Sequence, residues 1–429
     1  MLSQELFLSS GFYCEKSIEL VQRLPIPDCF DDKPIDNNVV NVDLPDWYSC
    51  PGGVSYIPVP KCMIPEGKDI VWNNVDWFTT AYLMSTNTME RLYENEVGSI
   101  HSFSHKLNVK LDCSYAWVNR IFLFLRKWYC HLYLVNEDDV FPKLPKPKIY
   151  LTHDVDYVRK TLPLTIKSSA FNIFNSIRFL KRLDILGFFK TISSLIKGIF
   201  DKPDYWQFES ILTLEEKYNV TSQWNFYSKT KYNNKLSLWL FDPSYDINSN
   251  KISNIIKKLI LKGHSVGLHQ SYGSWNDKQR MQEEKDTLEY IAKSQIVTCR
   301  QHWLRFSFKD TWHTQERCGF TLDTTLGFND KPGFRNFTAF KFPAFIDVEN
   351  RFSASLKCLP LILMDSHLYD YEQLTQEQRY SLIDHYLDEL ESVCGQASVV
   401  WHQRVFHKNY GWCESYEYLL RQATIRGML

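Results

Sequence analysis

The chain has 429 residues, of which 44% are hydrophobic and 15% aromatic, and its formal net charge at pH 7 is −1. At roughly 150 residues per domain this length predicts two or three domains, and the composition is typical of a globular protein rather than a disordered one. A net charge near zero excludes a whole-molecule field that would attract nucleic acid or another polyanion. Any charged partner must therefore be bound by a local group of side chains.

The first part of the chain, residues 1–141, is predicted to form a smaller mixed α/β accessory domain of unknown role. It contains short strand-like runs at 39–42 and 53–57 and helical patterns at 76–93 and 116–133. No group of residues typical of catalysis occurs in it.

A proline- and lysine-rich segment at 142–147 separates this part from the rest of the chain. Closely spaced prolines disfavour both helix and sheet, so the segment is predicted to be a linker. Residues 148–429 then form a second and larger domain.

Eleven cysteines are scattered along the chain without a Cys-x-x-Cys pair. This odd, unpatterned set predicts buried thiols in a reducing compartment rather than a disulfide framework. The N-terminal residues lack the basic start and apolar core of a secretory signal, and no apolar run reaches the ~18 residues of a membrane span. We therefore expect a cytoplasmic protein.

From residue 148 onward, strand-like runs alternate with amphipathic helices. The predicted strands are 148–152, 221–227, 264–269, 296–301, 320–323, 359–365 and 398–402. The predicted helices lie near 206–218, 250–262, 277–293, 309–317 and 376–394. Such alternation predicts a parallel sheet, and seven strand–helix units favour a barrel over an open sheet.

The segment at about 159–202 is strongly basic, with nine Lys or Arg residues against two acidic ones. Apolar residues recur in it at helical spacing, which predicts a helical insertion in the larger domain. The insertion either touches an anionic membrane surface, at the inner face of the membrane, or packs on the barrel with a solvated basic face.

Polar side chains lie at or just beyond the ends of most predicted strands: Asp154, Asp156, His269, Arg300, His302, Asp323, Asp365, His367 and His402. Because the carboxyl ends of parallel strands meet at one edge, we expect these side chains to gather there. Asp154 and Asp156 alternate along a strand end, so they share a face and are able to converge on one centre. The alternative is an Asp-rich turn that caps a following helix.

An ordered set of motifs carries a family resemblance. It consists of Thr152-His153-Asp154-Val155-Asp156, then residues 263–269, 300–306, 319–328 and 399–402. With these motifs, residues 147–425 resemble the polysaccharide deacetylases, the NodB-homology or carbohydrate esterase family 4 group, in a branch with an additional N-terminal domain. The resemblance implies a distorted (β/α) barrel of about seven strands that hydrolyses an N-acetyl group on a sugar.

The resemblance also implies roles for matching residues. Asp154 resembles the general base, Asp156 and His269 resemble metal ligands, and His402 resembles the general acid that protonates the leaving amine. These roles agree with the chemistry, because amide hydrolysis needs a nucleophilic water, a stabilised oxyanion and a proton for the nitrogen. A divalent metal supplies the first two.

Further residues are candidates for the same site. The resemblance implies that Arg300 orients a carboxylate through its planar guanidinium, with Asp154 and Asp323 as the two candidate partners. Additional candidates are His302, Asp365, His367 and Tyr272, and the last of these is either a sugar-stacking ring or a packing residue.

The chain departs from the family pattern at one metal ligand. The usual second motif has a second histidine four residues after the first, but four residues after His269 this chain has Gly273. Either a third ligand comes from His302, His153 or His367, or the metal is absent. Carboxylate and imidazole ligands suit zinc and are also compatible with cobalt, nickel or manganese.

The leading hypothesis is a hydrolase that removes an N-acetyl group from a saccharide or from a lipid- or nucleotide-linked saccharide precursor, with no nucleic-acid partner. The alternative is a catalytically inactive barrel that serves as a saccharide-binding or assembly module. A third hypothesis is hydrolysis of a non-sugar amide on the same scaffold, because fold alone does not determine the substrate.

Overall fold

The computed structural model describes residues 4–29, 38–97, 102, 111–159, 204–228, 242–243, 245–371 and 374–429, with scattered positions between 165 and 193. Most of the basic segment 159–202 lies outside the described residues. The two alternatives for that segment, membrane contact and packing on the barrel, therefore both stay predictions.

The N-terminal part combines short helices with one antiparallel strand pair. Its elements are α1 (Gln4–Ser10), α2 (Glu15–Val21), β1 (Val39–Asp43), β2 (Tyr56–Pro60), α3 (Trp77–Ser85), α4 (Thr88–Val97), α5 (Trp117–Tyr133) and α6 (Glu137–Val140). The helix predicted at 76–93 is divided in two, because Asn87 adopts a left-handed φ of 53° that ends α3. Asp76 caps α3 by accepting a hydrogen bond from the Thr79 N–H at 3.0 Å.

The larger part alternates strands and helices as the sequence predicts. Its strands are β3 (Lys148–Val155), β4 (Gln223–Tyr227), β5 (Ser265–Gln270), β6 (Thr298–Gln301), β7 (Leu322–Asp323), β8 (Phe342–Ile346), β9 (Arg351–Cys358), β10 (Leu361–Met364) and β11 (Gln396–Val400). Its helices are α7 (Phe208–Lys217), α8 (Asn250–Leu261), α9 (Lys278–Ala292), α10 (Thr311–Arg317), α11 (Asp365–Tyr369), α12 (Gln376–Ser392) and α13 (Cys413–Ile425).

These nine strands form one sheet in the order β10-β11-β3-β4-β5-β6-β7-β9-β8. All neighbouring strands are parallel except β8 and β9, which form an antiparallel pair at one edge. The α/β class and the seven predicted strands are confirmed, whereas the β8–β9 pair was not predicted. The segment that directly follows β7 reaches β10, the strand at the opposite edge of the sheet. There the Leu361 N–H donates to the Leu326 carbonyl at 2.9 Å. The sheet is thus curled into a distorted barrel that the chain after β7 helps to close.

The buried core continues from the N-terminal helices into the barrel without a break. Two buried ion pairs cross between these parts: Arg120 with Glu389, and Arg335 Nη2 with Glu90 Oε2 at 2.9 Å. The division into domains at 142–147 therefore remains a prediction, and the two parts share their packing.

The eleven cysteines are all free thiols. Four are buried, but Cys14 and Cys413 are exposed, so the prediction of buried thiols is wrong for these two because they flank helix starts on the surface. Among the described residues, no helix combines the length and the apolar character needed to cross a membrane.

Candidate functional site

Strand β3 carries Asp154 to the carboxyl edge of the sheet, where the residue is 4% exposed. Its Oδ1 accepts hydrogen bonds from Arg300 Nη1 at 2.9 Å and from Asn225 Nδ2 at 2.8 Å. Burial raises the pKa of Asp154, but the Arg300 charge outweighs it and the net pKa is below the ordinary value. The carboxylate is thus ionised, and no described residue donates to its Oδ2.

Asp156 lies just past the end of β3 and meets two histidines, one on β5 and one just past the end of β6. Its Oδ1 is 3.3 Å from His269 Nε2 and 3.7 Å from His302 Nε2. All three residues are buried, and one ligand atom from each lies within 4.8 Å of the others. The site therefore joins residues that are more than 100 positions apart in the chain.

His269, on β5, is held in one orientation by the backbone of β6. Its Nδ1 is 3.1 Å from the Arg300 carbonyl, so Nδ1 donates there and Nε2 faces Asp156 Oδ1. Burial lowers the pKa of His269, while the carboxylates of Asp154 and Asp156 raise it more, and the net shift is upward.

His302 follows β6 and is held from its far side by Asp242. The distance from His302 Nδ1 to Asp242 Oδ1 is 3.4 Å. Burial lowers the pKa of His302, which favours the neutral ring.

The next residue, Trp303, has a left-handed φ of 59°, and its carbonyl accepts from Ser102 Oγ at 3.1 Å and from Asn329 Nδ2 at 2.7 Å. This uncommon backbone conformation is fixed by neighbours and lies beside the site, as strained residues often do.

His402, just past β11, is oriented by Asp365 from the end of β10. Its Nδ1 lies 2.9 Å from Asp365 Oδ1, and the Asp365 Oδ2 accepts from the His402 backbone N–H at 2.6 Å. The Nε2 then faces Asp156 Oδ2 at 3.6 Å. Burial lowers the pKa of His402, but the Asp365 carboxylate helps to raise it by more than burial lowers it, so the net pKa is above the ordinary value. Such a ring is suited to giving up a proton from Nε2.

Arg404 supplies a permanent cation next to the same carboxylate. Its Nη1 donates to Asp156 Oδ2. Burial raises the pKa of Asp156, but Arg404 and His402 hold it well below its ordinary value. Asp156 therefore stays ionised, with Oδ2 bonded to Arg404 and Oδ1 directed towards the histidines.

The donor set fits a divalent metal ion. Asp156 Oδ1 and His269 Nε2 are both buried, and among the residues that the structure describes neither has a hydrogen-bond partner. Buried polar atoms are normally satisfied, so two such atoms facing each other need an explanation. One carboxylate oxygen and two imidazole nitrogens are the ligands of catalytic zinc sites, which keep a fourth position open.

Two expected site residues point elsewhere. The Asp323 carboxylate accepts from Trp312 Nε1 and Gln315 Nε2, both at 3.1 Å, whereas Arg300 pairs with Asp154. Both ring nitrogens of His367 are hydrogen-bonded to backbone groups. Nδ1 accepts from the Met364 N–H at 3.1 Å, and Nε2 lies 2.9 Å from the Phe328 carbonyl. Burial lowers the pKa of His367 to about 4. The side chains of Asp323 and His367 are thus hydrogen-bonded to groups outside the Asp156–His269–His302 cluster.

Tyr272 and His153, named as further candidates, also have other contacts. The Tyr272 backbone N–H donates to Asp242 at 2.7 Å, and the Arg305 guanidinium lies 4.2 Å from the centre of its ring. His153 is fully buried on the opposite face of β3, where its Nε2 is 2.9 Å from Glu215 Oε1. Both ring nitrogens of His153 are thus engaged away from Asp156, so His302 is the histidine that joins the Asp156 cluster.

Sequence analysis missed three residues that contact the site: Asn225, Asp242 and Arg404. A polar Asn inside the apolar run Trp224-Asn225-Phe226 was a usable signal, and Arg404 lies two residues after His402. Asp242 gave no signal, because nothing in its local sequence relates it to His302.

No protein-family model matches this sequence, and no curated protein matches it. In structure the chain is similar to a proposed polysaccharide deacetylase from Mycobacterium smegmatis, with 14% identity and a TM-score of 0.38 over 66% of this chain and 85% of that chain. A peptidoglycan N-acetylglucosamine deacetylase catalytic domain from Eubacterium rectale gives 10% identity and a TM-score of 0.33, over 67% and 89% of the two chains. A CE4 family pseudoenzyme from Bacillus anthracis gives 9% and 0.32, over 68% of both. These likenesses concern the fold alone.

Proposed function

We propose that this chain is a hydrolase that removes an N-acetyl group from a saccharide, with a divalent metal ion, zinc in the first instance, held by Asp156, His269 and His302. One observation carries the proposal: two unsatisfied buried ligand atoms face each other beside a third, between an ionised Asp154 and an Asp-oriented His402. A divalent ion at this position would polarise the amide carbonyl and make a water molecule acidic.

The side chains divide the remaining work. Asp154 accepts the proton of the attacking water, and Arg300 and Asn225 hold its carboxylate in place through Oδ1. His402 gives the proton of its Nε2 to the departing nitrogen, while Asp365 fixes the ring and stabilises its charged form. Hydrolysis of an amide requires both a base and an acid, and Asp154 and His402 would supply them.

The surface beside the site favours a saccharide over a simple amide. Trp303, next to His302, is 44% exposed although it is a large aromatic residue. An exposed indole whose backbone is fixed offers a flat apolar face of the kind on which a sugar ring stacks. A lipid- or nucleotide-linked precursor, a cytoplasmic location and a membrane contact through 159–202 belong to the same proposal.

The second candidate function is an inactive barrel that binds saccharides or assembles with a partner. One observation favours it: Arg404 already neutralises Asp156, and a cation bonded to a ligand carboxylate competes with a divalent ion. Metal content distinguishes the two candidates, because the inactive barrel does not need the ion.

The first test measures metal content and acetate release over a panel of N-acetyl sugars. We expect about one divalent ion per chain, lost in His269→Ala, and acetate release that Asp154→Asn lowers by at least ~100-fold, since general base catalysis contributes roughly 10²–10⁴-fold. The matched control is Asp286→Asn, the same change at an exposed position of α9. An Asp154→Asn variant with parental activity contradicts the assigned base, and tight sugar binding without metal supports the inactive barrel.

A further inference from the structure

The outer side of His302 is supported by a buried group of charged residues. Asp242 Oδ1 accepts from the Tyr272 N–H at 2.7 Å and faces His302 Nδ1 at 3.4 Å. Its other oxygen, Oδ2, pairs with Arg280 Nη2 at 3.5 Å. Asp242 is 4% exposed and Arg280 6% exposed, so the pair lies inside the protein.

Arg280 is itself fixed by its helix and by a glycine. Arg280 Nε pairs with Glu284 Oε1 at 3.3 Å, one turn further along α9. A Cβ atom added at Gly273 would lie 2.2 Å from Arg280 Nη1. The guanidinium therefore occupies the space that any side chain at position 273 would need.

This arrangement determines which nitrogen of His302 faces the cluster. With Asp242 accepting from Nδ1–H, the lone pair of Nε2 points to Asp156 Oδ1, 3.7 Å away. A carboxylate behind a ligating imidazole fixes the tautomer and the ring orientation and makes the ring a better metal ligand. Arg280 in turn pairs with Asp242 Oδ2 and holds that carboxylate in position.

We propose that the Arg280–Asp242 ion pair, packed on Gly273, positions His302 as the third ligand of a divalent metal ion. The proposal deepens the proposed function and depends on its metal site. Asp242 and Arg280 are positioning residues, since they act on the ion only through His302. His269 is held differently, by a backbone carbonyl, so the two histidines respond to different substitutions.

The experiment measures metal affinity rather than activity. The full-length protein is stripped with a chelator and titrated with Zn²⁺ and with Co²⁺, by calorimetry and by the visible absorption of bound Co²⁺. We expect Asp242→Asn to weaken binding by roughly 10–100-fold, because loss of such a supporting carboxylate typically has this effect. Arg280→Lys keeps the positive charge but loses the planar guanidinium. We expect it to weaken metal binding too, by less than Asp242→Asn does.

Two controls separate positioning from a structural role. Glu283→Gln, an exposed change on α9 next to these residues, should bind metal like the parent protein. The melting temperature of each metal-free variant reports any loss of stability that is independent of the ion. A lower melting temperature with metal affinity within twofold of the parent would mean that Asp242 only stabilises the fold, and would overturn the proposal.

His302→Ala distinguishes failure of this inference from failure of the proposed function. If the parent binds no metal, the metal site itself is wrong and the positioning role falls with it. If the parent binds metal and His302→Ala loses it while Asp242→Asn does not, only the positioning role is wrong. Loss in both variants, with normal binding by Glu283→Gln, is the expected result.

Discussion

Trp303 directly follows His302, a member of the candidate metal cluster, and is exposed at the surface. Its backbone is held in a left-handed conformation, and its carbonyl is bonded to Ser102 and Asn329. A rigid ring loses little conformational entropy when a ligand stacks on it, so Trp303 is suited to contribute to substrate binding.

We predict that Trp303→Ala raises KM for an N-acetyl saccharide with kcat nearly unchanged. The expected increase is about 2- to 13-fold, which corresponds to the roughly 0.5–1.5 kcal/mol of an aromatic contact. Steady-state kinetics on the best sugar of the acetate-release panel measures it. Trp303→Phe keeps a ring and should restore most of the affinity. Equal KM values for Trp303→Ala and the parent would place the sugar elsewhere.

At the residue scale, the strand-end rule predicted position better than orientation. Six polar residues that lie at or just beyond the end of a predicted strand come together in the structure: Asp154, Asp156, His269, His302, Asp365 and His402. Asp323 satisfies the same rule, but its carboxylate turns to Trp312 and Gln315 of α10. The direction of a side chain at a strand end depends on packing partners that are distant in sequence, and the local pattern does not contain them.

At the scale of elements, helix α5 is attached to α12 by a buried ion pair. Arg120 Nε donates to Glu389 Oε1 at 3.0 Å, and that oxygen also accepts from the Ala116 N–H at 2.9 Å. The side chains of Arg120 and Glu389 are only 3% and 2% exposed. Removing one partner leaves a buried charge without compensation, which is far more costly than loss of a surface pair.

We predict that Arg120→Ala lowers the free energy of unfolding by about 3–5 kcal/mol. Urea unfolding followed by tryptophan fluorescence measures the change. Lys127→Ala, on the same helix and 56% exposed, is the control and should cost less than about 1 kcal/mol. If both variants were equally stable, the ion pair would have no role in holding the helices together.

Element prediction succeeded where a segment carries a strong local pattern. Strands β4 and β10 are continuous buried runs, and the predicted ranges at 221–227 and 359–365 contain them. Strand β9 was missed because its exposed positions include Arg351 and Lys357, which give no apolar run. It forms by pairing with β7 and β8, a tertiary contact that outweighs its weak local preference.

At the scale of the whole molecule, the continuous core sets the unit of stability. Phe122 of α5 stacks near Phe340 beside the barrel, with ring centres 6.0 Å apart. The Arg91 guanidinium lies 4.7 Å from the centre of the Phe308 ring and pairs with Asp347 at 3.0 Å. These contacts join the N-terminal helices to the barrel through buried apolar surface, so separating the parts would expose that surface to water.

We therefore predict that the chain unfolds in one cooperative transition and that residues 148–429 alone do not form a stable protein. Calorimetry of the full chain should give equal calorimetric and van't Hoff enthalpies, the mark of a single unit. The isolated fragment should aggregate or lack a transition, because its Phe340 and Arg335 lose the neighbours that bury them. A protease site inserted in the linker at 142–147 is the control: after cleavage the two pieces should stay associated, since the buried contacts and not the linker hold them. A soluble 148–429 fragment with the melting temperature of the full chain would instead establish two independent domains.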